Sequence, residues 1–277
     1  RLACVTGVQT CALPIYQLAK NAPDELKPVL LFYGMVQLIK ATLLTVDPDY
    51  PQTTTVLAHG VSARKRKKRD YIFLNDEVKV QKNGLLRHFA QHLFQETLSE
   101  ERFQMESLFA RIPEMNAIFQ MSGKQHPSLK VKQQTNGTLI IPISILDHLH
   151  MTARRFQEYL QRHLRVQIQS FSIKEENIII VANLNRPFDC VPFLFHLSHD
   201  VYIPKKRELF QPIPELIVHY LLLYNLSMLC RYETEWWNEL FHSFSTDDLP
   251  FIRHFLSISE RKTPYLIGLY LKKRSDQ

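Results

Sequence analysis

Between Val29 and Val46 the chain reads VLLFYGMVQLIKATLLTV, apolar on nearly every face of a helix. A helix with no polar face belongs either in the centre of a bundle or in a bilayer. The run reaches the roughly 17–25 residues that a membrane span needs. It also carries Gln37 and Lys40 and stops at the acidic Asp47-Pro48-Asp49, which argues for a buried core helix and against a membrane span. Pro28 falls in the first turn, where its missing N–H is not needed.

Lys40 is the only charge in this run. An ammonium group in apolar surroundings must find a carboxylate, be neutralised, or reach water. The candidate partners are on a second apolar helix, which begins at Pro214 and runs through LIVHYLLLYNLSMLCRYETEWWNELF to about Phe241. That helix turns polar at Arg231, Glu233, Glu235 and Trp236, and Arg231 and Glu235 are four apart, a pairing distance on a helix. The expectation is that Lys40 pairs with Glu233 or Glu235, or with a carbonyl-rich pocket beside Trp236, and that Lys40, Arg231, Glu233, Glu235 and Trp236 line a candidate cleft; the alternative is a stem packed on the bundle with its head in solvent. Two further helices, Pro250–Ser257 and Thr263–Lys273, are expected to close the chain.

The middle of the chain changes period. Leu129–Gln133 alternates, Asn136-Gly137 is a strong hairpin signal, and Thr138–Ile143 is rich in strand formers. Thr152 caps a helical segment from Ala153 to His163. Arg165–Ile173 and Ile178–Ala182 form a second hairpin pattern. The predicted fold class is therefore α+β, mostly α: a helical bundle built on two buried helices, with a small antiparallel β-sheet unit inserted at about 128–183. At 45% hydrophobic and 22% charged residues, the chain has the apolar mass for such a core.

The N-terminus reads differently. Residues 5–15, VTGVQTCALPI, resemble the translation of a sequencing adapter, and no apolar stretch makes them a signal peptide. Residues 1–15 are expected to be non-native, irregular and without specific packing, with a single domain over 16–277. Cys190 and Cys230 are then the native cysteines, far apart and in no CxxC pair, which suits a reducing compartment and argues against a thiolate metal site.

Glycine scarcity excludes several chemistries. Outside the first fifteen residues no two glycines lie closer than fourteen positions. P-loop, GxGxxG and GxSxG patterns, which need close glycines for backbone approach to a phosphate or a sharp nucleophile turn, are absent. No cofactor is expected. His88 and His92 share one helix face, a workable zinc spacing, but no acid stands between them and no metal site is expected. Arg87 and His92 form an Arg-x4-His pattern similar to that of HEPN ribonucleases, in which Arg and His poise RNA for cleavage. With this many arginines and histidines such spacings also arise by chance.

Arg64, Lys65, Arg66, Lys67, Lys68 and Arg69 are consecutive, in a chain with net charge +7. Such a run suits phosphate backbones, read without sequence preference because stacking aromatics are not interleaved with it. Expected partners are RNA, DNA or another polyanion.

The strings LFYGMVQLIKATLLTVDPDYP, VLAHGVSARKRKK, EVKVQKNGL and YLLLYNLSMLCRYETEWW resemble the bacterial YaaC-like family. The resemblance runs from about Pro28 to Leu271 and implies a bacterial cytoplasmic protein, but brings no established activity. The residues themselves favour a non-enzymatic binding protein for nucleic acid or another acidic partner. The alternative is a HEPN-like ribonuclease using Arg87 and His92.

Overall fold

The structure, a computed structural model, describes residues 2–63, 71–98, 101–184, 187–243 and 246–275, with side chains from residue 12 onward. The basic run Arg64–Arg69 lies outside the described residues. The chain divides into two compact units, residues 1–109 with 216–277, and residues 110–215.

The first unit starts with α1 (Leu2–Asn21) packed along α2 (Lys27–Val46). This corrects the expectation of an irregular N-terminus: Ala12 and Ala19 are fully buried, and Tyr16 and Ile15 lie over Gly34. A Cβ at Gly34 would sit 2.9 Å from the Tyr16 ring and 3.3 Å from Ile15 Cγ2. The missing side chain is what lets the two helices approach. The segment's polar interruptions do not prevent a helix, because most helix stability comes from packing of this kind rather than from propensity.

Within α2, Leu31, Phe32, Met35, Ile39 and Leu43 are fully buried, each worth about 1.5–3 kcal/mol against exposure. The helix is long and apolar enough to cross a membrane, yet in this unit it packs against α1 and the helices that follow. Strands β1 (Val61–Ala63), β2 (Glu77–Val80) and β3 (Arg102–Gln104) form an antiparallel sheet ordered β1-β2-β3. Beside them are α3 (Leu85–Phe94) and α4 (Met105–Phe109). The apolar stripe of α3, Leu85, Leu86, Phe89, Ala90, Leu93 and Phe94, is buried, as period 3.6 demands.

The second unit holds α5 (Asn116–Met121), α6 (Ile145–Leu149) and α7 (Ala153–His163) with seven short strands, β4 (Ser128–Lys130), β5 (Lys132–Gln133), β6 (Thr138–Pro142), β7 (Ser170–Lys174), β8 (Asn177–Val181), β9 (Leu194–Phe195) and β10 (Val201–Pro204). Four of them make an antiparallel sheet ordered β5-β6-β8-β7, with Leu139 opposite Ile180 and Ile141 opposite Ile178. Phe156 and Leu160 of α7 share its core cluster. Thr152 Oγ1 caps α7 by accepting from the Arg155 N–H at 3.3 Å. The Leu129–Gln133 stretch, read as one strand, is split: β5 pairs with β6, whereas β4 pairs with β10 in a sheet ordered β4-β10-β9. Arg111, fully buried, donates to the carbonyls of Leu209 (2.8 Å) and Gln211.

The chain returns to the first unit through α8 (Glu215–Tyr232), α9 (Thr234–Ser243) and α10 (Asp248–Ser275). The helix expected to run unbroken to Phe241 is interrupted at Glu233, between α8 and α9. The two closing helices are one, with Pro264 inside α10. Phe251, Phe255, Leu256, Leu266 and Ile267 of α10 are buried, and that continuous face carries the helix past the proline.

Candidate functional site

The site is built around a loop that sequence reasoning passed over. After Leu57 the chain reaches Ala58-His59-Gly60, and this segment is pinned to the start of α3. Leu85 N–H donates to Ala58 O at 2.7 Å and Leu86 N–H to His59 O at 3.2 Å. The Tyr220 hydroxyl also donates to His59 O, at 2.9 Å. Gly60 (φ +77°) and Gly84 (φ +130°) touch backbone to backbone, and both φ values favour glycine.

This pinning points the His59 ring into an aromatic box. Phe32 lies 4.9 Å from it, Tyr224 5.9 Å and Tyr33 6.1 Å, all edge-on. Its Nδ1 is buried and has no hydrogen-bond partner. Burial, then the charges of Arg231 and of Lys40, hold the imidazole below its ordinary pKa, so it is neutral at pH 7.

The charges of Lys40 and Arg231 thus both reach His59. Arg231 donates to the Tyr33 hydroxyl and to Ser227 O, both at 3.0 Å, and stacks over the rings of Tyr33 and Tyr232. Neither cation has an ion pair among the described residues, and both are half-buried. The expected Lys40–Glu233 or Lys40–Glu235 pair is therefore corrected, as is the Arg231–Glu235 pair. No ion pair joins Arg231 to Glu235 among the described residues, and Glu235 is exposed on α9.

Glu233 and Trp236 lie toward a different feature. The Tyr71 ring packs edge-on to Trp236 at 4.7 Å, and the charge of Glu233 is felt at the Tyr71 hydroxyl. That hydroxyl donates to Asp76 Oδ2 at 2.7 Å, and Asn225 Nδ2 donates to the same oxygen at 2.9 Å. The candidate cleft thus resolves into a cationic half, Lys40 and Arg231, and an acidic half beside Trp236.

Lys40→Met is accordingly expected to change stability by no more than about 1 kcal/mol, the scale of an unpaired, partly solvated charge. A shift of about 3–5 kcal/mol in urea denaturation, the scale of a broken buried pair, would contradict this placement.

A third cluster is formed where α2 ends. Asp47, buried, accepts at Oδ2 from His88 Nε2 at 2.9 Å, and the His92 ring lies 4.2 Å from that of His88. The Tyr50 ring is 5.3 Å from that of His88. These three residues are the ones whose donor atoms could hold a metal ion among the described residues. Arg87 is not part of the group. Five positions along α3 turn it about 140° away from His92, and its Nε is buried without a partner. The helix brings His88, not Arg87, to His92.

In the second unit, a cleft of about 430 Å³ is lined by His126, Lys130, His196, Tyr202 and Lys205. There Lys130 is already bonded to Asp200 at 2.7 Å, so its charge is neutralised in a way that those of Lys40 and Arg231 are not.

No curated protein and no solved structure matches the chain. The model of one family, described as YaaC-like protein, matches residues 11–271 and so takes in His59, Gly60, Gly84, the cationic pair and both histidines of α3. With nearly its whole length matched, the chain belongs to the YaaC-like family.

Proposed function

We propose that this protein binds a phosphate-bearing acidic partner, nucleic acid being the class that best fits, through Lys40, His59 and Arg231 together with the basic run Arg64–Arg69. The observation that carries this reading is two half-buried cations, unpaired by any carboxylate among the described residues, whose charges both act on a neutral imidazole with a buried, unpartnered nitrogen. A half-buried cation with no carboxylate partner favours an anion that neutralises it, and partial burial strengthens the contact. Arg231 is pre-positioned by Tyr33 and Ser227, so little side-chain entropy is lost on binding. The basic run begins one residue after β1, which itself starts next to Gly60. A backbone of successive phosphates suits both features. The ribonuclease reading on Arg87 and His92 has less support, since α3 turns these side chains apart.

The test is a salt titration of binding to RNA, DNA and polyphosphate, with RNA integrity checked afterwards. Neutralising Lys40 and Arg231 to Gln, or Arg64–Arg69 to Gln, is expected to weaken all three together. It should also flatten the log–log salt dependence by about 0.9 per lost contact on duplex DNA. An unchanged slope in both variants would reject the proposal. Binding should also tighten as pH falls through the depressed His59 titration. A bound anion stabilises the imidazolium, so protons and anion bind together, whereas the unliganded protein loses stability over the same window because its His59 resists protonation. A pH-independent affinity between about pH 7 and 5 would remove His59 from the site.

A further inference from the structure

We propose that Asp47, His88 and His92 form a binding site for a zinc-type divalent metal ion. The three side chains come from two elements that the fold locks together. Asp47 is the residue at which α2 stops, its N–H still bonded to Leu43 O at 2.7 Å, and its carboxylate is directed at His88 Nε2. His88 and His92 are one helical turn apart on α3, whose start is anchored by the Ala58 and His59 carbonyls. All candidate ligand atoms lie within 4.8 Å of one another. Two donors on a tetrahedral zinc with bonds of about 2.0 Å sit about 3.3 Å apart, so the ligand atoms need to close by no more than about 1.5 Å, within reach of a rotamer adjustment at the exposed His92. The 2.9 Å His88–Asp47 contact already has the ligand nitrogen and oxygen facing each other.

The donor set selects the metal. Two imidazoles and one carboxylate suit zinc and its neighbours, whereas calcium and magnesium want oxygen alone. Three protein ligands leave one coordination position open, the arrangement of sites that keep a water rather than of closed structural ones. His92 is exposed and gives the ion a route in. An independent feature supports a ligand here. Tyr50 packs on His88 and is only 7% exposed, yet its hydroxyl has no hydrogen-bond partner. An unsatisfied buried hydroxyl is unfavourable, and a metal-bound water would supply a partner beside it.

The experiment is competitive zinc titration of the full chain, purified without a histidine tag, together with the visible absorption of Co²⁺ added to the metal-free protein. One Zn²⁺ per chain is expected, with a Co²⁺ spectrum of four-coordinate intensity. His92→Ala and Asp47→Asn should each lower zinc affinity by at least about tenfold. His148→Ala, an exposed histidine of the second unit, should leave it unchanged. Because His92 is exposed, the metal-free melting temperature of His92→Ala should equal that of the parent, so a loss of zinc is not a loss of fold. Added zinc should raise the melting temperature of the parent and not of His92→Ala. Failure to bind stoichiometric zinc, or undiminished affinity in His92→Ala, would overturn the site. Polyanion binding is read in a separate assay and does not depend on the outcome.

Discussion

Gly84→Ala is expected to destabilise the protein by about 3 kcal/mol or more and to weaken anion binding with it. A Cβ at Gly84 would lie 2.3 Å from Gly60 Cα, 2.5 Å from Gly60 N and 2.9 Å from Ala58 O. All three are backbone atoms, so no rotamer change relieves the overlap. The φ of +130° adds strain for any side chain. Overpacking alone costs about 1–3 kcal/mol and a strained φ about as much again. The chain must respond by moving the Ala58-His59-Gly60 segment off α3. That movement breaks the bonds from Leu85 and Leu86 and from the Tyr220 hydroxyl, and takes His59 away from Lys40 and Arg231. Gly60→Ala meets Gly84 at 3.2 Å with φ +77° and should cost less, about 1–2 kcal/mol. Urea denaturation of both variants checks the order, and a Gly84→Ala midpoint equal to that of the parent would show that the two backbones are not in contact.

Asp248→Ala is expected to cost about 3–5 kcal/mol. Asp248 is 1% exposed at the start of α10. It accepts from the N–H groups of Phe73 (2.8 Å) and Leu74 (3.1 Å) and from the Thr246 hydroxyl (2.9 Å). Alanine leaves two buried backbone N–H groups unpaired, at about 1–3 kcal/mol each, and removes an acid from the positive end of the helix dipole. Burial raises the Asp248 carboxyl above its ordinary pKa against the pull of these bonds. The folded protein therefore holds that proton more tightly than the unfolded chain does, and stability is lost as pH rises through the folded value. Asp248→Asn, which keeps one acceptor and carries no charge, should lose less than the alanine. A loss under about 1 kcal/mol in Asp248→Ala, measured by urea denaturation at neutral pH, would mean that water reaches Phe73 and Leu74.

What could be read from the sequence was local. The apolar run from Val29 to Val46 has one stable use in a bundle, and α2 occupies Lys27–Val46. Alternation of side chains around Asn136-Gly137 sets the β5–β6 pairing, and Thr152 marks the start of α7. The His88/His92 spacing was visible too, because a helix puts residues four apart on one face. The fold class followed from these periods, and the period of a segment is a property of its own residues.

The site depended on tertiary structure. Lys40 and Arg231 are separated by most of the chain, and only the tertiary structure brings the charges of both to bear on His59. Asp47 reads as a helix stop, and only the docking of α3 against α2 makes it a partner for His88, forty-one residues away. Gly60 and Gly84 look like ordinary turn residues until their backbones are seen to touch. The N-terminal helix shows the same division. The adapter-like reading of residues 1–15 predicts irregular structure, whereas packing of Ile15 and Tyr16 over Gly34 supplies the free energy that holds the helix Leu2–Asn21 in place. Side-chain period determines which face of an element is apolar, whereas the faces that meet are set by long-range packing, and the chemistry of this protein lies between faces.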